Sequence, residues 1–326
     1  MIIGIGETIL DIIFKNDQPM AAVPGGSTFN ALISLGRVLS NKRASGADDA
    51  IPVFVTEVGS DHVGDIVVNF LKDNGVSAEY VNRRKDSKSH ISLAFLDEHN
   101  DAQYQFYKDH ENASIEDNFP EVNEGDIVVF GSFFAVNPVL RPIVKAFLER
   151  ANKAGAFIYY DINFRKSHVH EIPMVMENIR ENCRLSDVVR GSDEDFGYLF
   201  GTTDPCEIYH RHISELCPNF ICTCGSRPVH VFMPGYHETF PVPEVETVST
   251  IGAGDNFNAG FLFGLLRAGL DAYGKHDADG GQLENPSGKL SAAVLPELIG
   301  LAGRFSANVC ASINNNVDED FVDSLI

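Results

Sequence analysis

Positive charge is scarce in this chain. Lysine and arginine number 25 against 46 aspartates and glutamates, a formal net charge of -21. Nucleic acid and anionic membrane surfaces both demand a basic face, so neither is expected as the main partner. The acidity reads as solubility. Long apolar runs are missing too. The most apolar late run, Ala259 to Leu266, stops at Arg267, far short of the roughly 20 residues that cross a bilayer. The chain start lacks a basic stretch, and Glu7 and Asp11 interrupt its apolar residues, so it is not read as a signal peptide. Cysteine is sparse, 6 in all, with no metal-ligand spacing. Cys222 and Cys224 share one face of an apparent strand, and reduced thiols in a cytoplasmic protein are the reading. Two glycine fingerprints are also absent. No Gly-x-x-x-x-Gly-Lys-Ser/Thr loop occurs, which excludes a P-loop. Gly4-x-Gly6 meets Ile9 where a dinucleotide fold needs its third glycine.

What is present is a recurring unit of strand, glycine-ended loop and helix. Apolar residues make up 44% of the chain, enough for a full core. Strands are expected over 1–5, 9–14, 51–58, 126–130, 157–160, 187–190 and 220–224, with 229–233 and 237–242 as a hairpin. Helices are expected over 29–39, 61–74, 137–152, 171–181, 193–200, 206–217, 256–266 and 290–312. The pattern predicts an α/β fold, a doubly wound and mainly parallel sheet with helices on both faces. Residues 89–96 and 102–107 break the alternation and read as a hairpin. Together with the second strand they predict a small β-sheet lid, drawn from segments 8–20 and 77–110 of a single domain spanning 1–326. Residues 270–289 read as a polar, glycine-rich insertion.

The richest chemistry lies in Thr247-Val-Ser-Thr-Ile-Gly-Ala-Gly-Asp255. Gly252, Ala253 and Gly254 form a bare loop at a helix start. Such a loop aims unpaired N–H groups and the positive dipole end at one spot, which suits a phosphate. Asp255 follows at once. A carboxylate there fits a base that takes a proton from a group attacking that phosphate. It also fits a helix cap, and these letters alone leave both readings open.

Several stretches together resemble the PfkB, or ribokinase-like, family of carbohydrate kinases, in order along nearly the whole chain. They are Gly6-Glu7-x-x-x-Asp11, Gly25-Gly26-Ser-Thr-Phe-Asn30, Val58-Gly59-Ser-Asp61-His-Val-Gly64, Asp161-x-Asn163-x-Arg165, Thr223-x-Gly225 and Val248-Ser-Thr-Ile-Gly-Ala-Gly-Asp255. The resemblance, closest to fructokinases, implies ATP-dependent phosphorylation of a sugar hydroxyl. Asp255 would be the base, and Gly252, Ala253 and Gly254 the anion hole. Asp11, Gly26 and Asn30 would hold sugar hydroxyls, with Arg165 a further candidate for substrate or phosphate. Ser192, Asp195, Thr223, Gly225 and Asn308 would line the nucleotide side. Mg²⁺ would ride on the ATP phosphates with no direct protein ligand, Asp195 reaching it through water. The resemblance also suggests a homodimer through the lid.

The chain departs from the family pattern in places. Ser249 stands where an aspartate that resembles a monovalent-cation ligand is usual, which argues against potassium activation. Ile313-Asn-Asn-Asn316 lacks the late glycine that shapes the cation loop elsewhere. Ser192-x-x-Asp195 replaces an Asn-x-x-Glu. Two further kinases stay open, for 2-keto-3-deoxygluconate and for ribose. The first substrate carries a carboxylate and calls for a cation, with Arg83, Arg84, Lys108 and Arg165 as candidates. A catalytically weak sugar-binding regulator is the reading from another class.

Overall fold

A computed structural model describes residues 1–44, 50–96, 102–107, 118–269 and 290–325. The first strand, β1 (Ile2–Ile5), leads directly into the antiparallel pair β2 (Ile9–Lys15) and β3 (Gln18–Gly25). Helix α1 (Ser27–Ala44) follows, then β4 (Pro52–Gly59), α2 (His62–Asp73) and β5 (Val81–Arg84). A second antiparallel pair is β6 (Ile91–Leu96) and β7 (Ala102–Tyr107). The alternation then resumes with β8 (Ile127–Gly131), α3 (Arg141–Lys153), β9 (Phe157–Asp161), α4 (Ile172–Leu185), β10 (Val188–Ser192), α5 (Asp193–Phe200) and the short α6 (Pro205–Ile208). The chain closes with β11 (Phe220–Cys224), β12 (Arg227–Met233), β13 (Tyr236–Phe240), α7 (Ala253–Ala268), α8 (Leu295–Cys310) and α9 (Glu319–Asp323).

Two sheets result. The large one has nine strands in the order β13-β12-β11-β10-β9-β8-β1-β4-β5, and the small one runs β3-β2-β6-β7. From β11 through β5 every neighbouring pair in the large sheet is parallel, whereas the β11–β12 and β12–β13 pairs are antiparallel. Side chains alternate between its two faces. Ile127, Val129, Tyr159, Val188 and Ile221 join one core with α1, α7 and α8. Val128, Phe130, Tyr160, Val189 and Phe220 join the other with α3, α4 and α5. Both cores are apolar enough to explain why the parallel strands read as near-continuous hydrophobic runs. This is the doubly wound α/β sheet that the sequence predicts, with a separate small sheet beside it.

The differences are local. Helix α1 runs on to Ala44 rather than stopping near residue 39, because the chain's end docks on it: Asn41 Nδ2 donates to Asp323 Oδ1 at 2.7 Å and Lys42 Nζ to the Leu325 carbonyl at 3.2 Å. Strand β3 carries Pro19 and Pro24, which hide it in the sequence; it is an edge strand, where a missing N–H is tolerated. Strand β5, inside the 77–110 segment, is a short polar run that pairs with β4 on the large sheet's edge. The helix expected over 206–217 is broken into α6 and a π turn at Tyr209–Ile213. The insertion at 270–289 and Lys108 lie outside the described residues, as does the turn expected at 97–101.

Candidate active site

The site forms where two first turns meet. Asp255 sits in the first turn of α7, and Gly252, the residue before it starts, has φ 78. Only glycine takes that left-handed value at little cost. The turn is clamped from outside. Asn256 Nδ2 donates to the carbonyls of Gly252 and Asn315, both at 2.8 Å. Ser34 Oγ, from α1, donates to Asn256 Oδ1 at 2.5 Å. The Ile313–Asn316 stretch thus holds the loop through Asn315, without a glycine of its own. Ser249 Oγ accepts from the Ile251 N–H at 3.2 Å and shapes the approach.

Helix α1 brings the second turn. Gly26 has φ 134, and a Cβ there would stand 2.4 Å from the Glu7 carbonyl oxygen. The bare turn lets α1 start hard against the β1–β2 connector. Asn30 then lies one turn in, 4% exposed, and its Nδ2 donates to Asp255 Oδ2 at 2.9 Å. Asn30 Oδ1 is buried with no partner. Gly26→Ala is expected to lose roughly 1–3 kcal/mol of stability from backbone strain alone. Its urea midpoint should fall; an unchanged midpoint would contradict the role given to this turn.

Burial raises the pKa of Asp255, and the Asp161 charge adds to the rise. Hydrogen bonds from Asn30 and Ser27 and the charge of Arg165 pull it partly back. The carboxyl therefore titrates above the ordinary aspartate value yet keeps donors that favour its ionised form. Arg165 itself is exposed, just past β9. Asp11, on β2, pairs in register with Val23 and Ser92, and its carboxylate takes the Ser92 hydroxyl. Burial raises its pKa and that hydrogen bond lowers it. A Cβ on Gly25 would sit 2.9 Å from Asp11 Oδ2, so the small sheet delivers this carboxylate to the very start of α1. A cavity of about 250 Å³ opens beside the same turn. Glu7, Thr8, His90 and the stacked pair Phe133 and His168, 4.0 Å apart, contribute to its wall.

The nucleotide-side candidates fall at the ends of β10 and β11 and on α8. Ser192 caps α5 in a reciprocal box with Asp195: the Ser192 N–H and Oγ reach Asp195 Oδ2 at 2.7 and 2.8 Å, and the Asp195 N–H reaches Ser192 Oγ at 3.1 Å. Burial raises the pKa of Asp195. Gly225 turns the chain between β11 and β12 at φ 63 and is exposed. Thr223 Oγ1 accepts from Arg190 at 2.8 Å. Asn308 ties α8 to the cap of α9, its Nδ2 reaching Asp318 Oδ2 at 2.9 Å. Asp255, Asn30, Gly26 and Asp11 are therefore gathered, whereas Asn308 serves a helix junction.

Sequence reading missed the group at the centre. Arg190 is the one charge in the apolar strand Val188-Val189-Arg190-Gly191, and a lone cation in a buried strand is the signal that could have found it. Its guanidinium bonds Asp161 Oδ1 at 2.9 Å, and Asp161 Oδ2 accepts from Asn258 of α7 at 2.7 Å. Ser132, which sequence reading gave no role, and Asn163, from the Asp161-x-Asn163-x-Arg165 motif, hold positive φ values of 57 and 37 at the ends of β8 and β9. Asn163 Nδ2 donates to Ser132 Oγ at 3.0 Å. Strain of this kind persists where surrounding structure over-determines it, often at functional sites.

Known proteins are similar to this chain in sequence and in fold. The profile of the pfkB family carbohydrate kinases covers residues 2–285. Fructokinase-2 of Solanum lycopersicum is 25% identical over 279 residues, 80% of each chain. Among solved structures, aminoimidazole riboside kinase from Salmonella enterica superposes with a TM-score of 0.78 at 21% identity, over 99% of this chain and 98% of that one. Fructokinase from Vibrio cholerae O395, in its fructose, ADP and calcium ion bound form, gives 0.76 at 20% identity, over 99% and 98%. With the family profile spanning most of the sequence and the doubly wound sheet behind it, the chain belongs to the pfkB family and is a carbohydrate kinase.

Proposed function

We propose that the protein transfers the γ-phosphoryl group of ATP to a hydroxyl of a fructose-like sugar, with Asp255 as general base. The observation that carries this reading is Asn30. One end of its amide holds Asp255, and the other is a buried acceptor without a donor. A sugar hydroxyl is a donor of the right kind, and bonding there sets it beside the carboxylate. Asp11, against the start of α1, fits a second hydroxyl. A hydroxyl is too weak an acid to ionise unaided near neutral pH. As its oxygen attacks the γ-phosphorus, Asp255 takes its proton and the bond to the ADP oxygen breaks. Charge gathers on the phosphoryl oxygens, where the N–H groups of Gly252 and Gly254 stabilise it, the Ala253 N–H already donating to the Thr250 carbonyl at 3.2 Å. The small sheet would close over the sugar and exclude water. Its exposed Met20, Phe106 and Tyr107 also fit a second copy of the chain.

The relatives' ligands, an ATP analogue in one and ADP with a calcium ion in another, support ATP and a divalent cation such as Mg²⁺ here. The donor set fits an outer role. Ser192 already occupies one oxygen of Asp195, a mostly buried carboxylate, so Asp195 suits a water-mediated contact better than direct ligation. Magnesium would neutralise phosphate charge on the nucleotide. Ser249, a neutral hydroxyl, supports turnover without a monovalent cation.

A sugar acid is the weaker alternative. Arg83 is engaged by Asp65 at 2.7 Å, and Arg84 by Glu57 at 3.1 Å and Asp86 at 2.9 Å. Two of the cations that could have met a substrate carboxylate are thus committed, which leaves Arg165 among the described residues. A coupled ADP-release assay over fructose, ribose, 2-keto-3-deoxygluconate and adenosine is expected to show the greatest stimulation with fructose. No stimulation by any acceptor would favour a sugar-binding regulator.

A further inference from the structure

We infer that Arg190 is a positioning residue for phosphoryl transfer, a fixed positive charge set directly beneath the anion hole. The inference rests on the proposed role of Gly252–Asp255 as the transfer turn. The geometry is that of an intrusion. A Cβ on Gly254 would lie 3.0 and 3.1 Å from the two terminal nitrogens of Arg190. The third residue of the Gly-Ala-Gly turn is therefore bare because a guanidinium fills the space a side chain would need. That explains a glycine whose own φ is unremarkable; the conformational argument applies to Gly252 and not to Gly254.

The guanidinium cannot wander. Asp161 at the end of β9 holds one nitrogen at 2.9 Å, and Thr223 near the end of β11 holds another at 2.8 Å. The ring of Phe257, in the next turn of α7, lies 5.6 Å from its central carbon. The side chain is 6% exposed. Its Nε is buried without a partner. A buried ion pair with imperfect hydrogen bonding is poor value as a stabilising device alone. It makes sense as preorganisation. A charge fixed in a site of low dielectric stabilises developing phosphoryl charge without reorganising at the moment of reaction. Because that charge peaks in the transition state, the contribution belongs in kcat and not in KM.

The same placement gives Thr223 its work. Its hydroxyl accepts from Arg190 and lies 3.4 Å from the Gly191 carbonyl. Thr223 thus aims the guanidinium at the turn, and through it the end of β11 is coupled to the reaction centre.

The test compares wild type, Arg190→Lys and the double variant Asp161→Asn/Arg190→Met, which removes both charges of the pair together. Melting curves establish folding, and kcat and KM are measured for ATP and sugar. The double variant is expected to lose about 10²–10³ in kcat, with each KM within threefold. Arg190→Lys, with a point charge in place of a fork, should recover part of that loss. A folded double variant with kcat within threefold of wild type, or a loss confined to KM, overturns the inference. Should the double variant fail to fold, Arg190→Lys alone decides: a loss confined to kcat supports the inference, and no loss or a loss confined to KM overturns it. Wild type inactive with every acceptor would sink the kinase reading itself, whereas active wild type with indifferent Arg190 variants sinks only this role.

Discussion

Asp255→Asn is expected to lower sugar-dependent turnover by about 10²–10⁴ while sugar still binds. The isosteric amide fills the same space and can still accept from Asn30 Nδ2, so the acceptor pocket keeps its shape. What it cannot do is take a proton. The loss should appear in kcat, with the sugar dissociation constant by calorimetry within a few-fold of wild type. The raised pKa adds a pH signature. As the proposed base, Asp255 acts in its ionised form, so the acid limb of the wild-type profile should lie above the ordinary aspartate value of 3.8. The same shift acts on stability. The folded state binds this proton more tightly than the unfolded chain, so ionising the buried carboxyl weakens folding above that window. Asp255→Asn removes the ionisation and should melt no lower than wild type at pH 7. The gain should shrink as the pH falls through the raised pKa. Normal turnover in this variant would remove Asp255 from the role of base.

Asp161→Ala carries the largest expected effect on stability. Asp161 and Arg190 are 4% and 6% exposed, and the carboxylate also holds Asn258. Removing it strands a buried guanidinium, a loss of about 3–5 kcal/mol. Glu177→Ala is the control. Its ion pairs with Arg180 and Arg184 join side chains 49 to 61% exposed, so its loss should stay within about 1 kcal/mol. Urea midpoints of the two variants give the comparison directly. Equal midpoints would mean that the Arg190 pair is solvated after all. The proposed transfer turn would then lack the low-dielectric surroundings its chemistry needs.

Much of this architecture is legible in the letters. The large sheet could be read because its parallel strands are buried on both faces and bounded by glycine turns. The Gly252–Asp255 letters alone leave cap and base both open, and the motifs spread along the chain favour the base. Its partner Asn30 stands 225 residues away, and no local pattern reports that contact. Strands β3 and β5 were hidden for a different reason. One carries prolines and the other is short and polar, features that only an edge position permits. Ser192-x-x-Asp195 shows how one pattern serves two readings. As a departure from Asn-x-x-Glu it suggests a metal shell, whereas by physical rule it is a capping box, and the box is what forms. Arg190 was overlooked because its meaning depends on Asp161, Thr223 and Gly254, which meet it only in the folded chain.

The proposed phosphoryl transfer from ATP to a sugar hydroxyl by way of Asp255 can be followed directly. The most direct measurement uses ATP labelled in its γ-phosphate, fructose and Mg²⁺, with wild type and Asp255→Asn side by side. Label is predicted to pass to fructose with wild type and to remain on ATP with the variant. Label released as free phosphate, or carried to fructose equally well by both proteins, would contradict it.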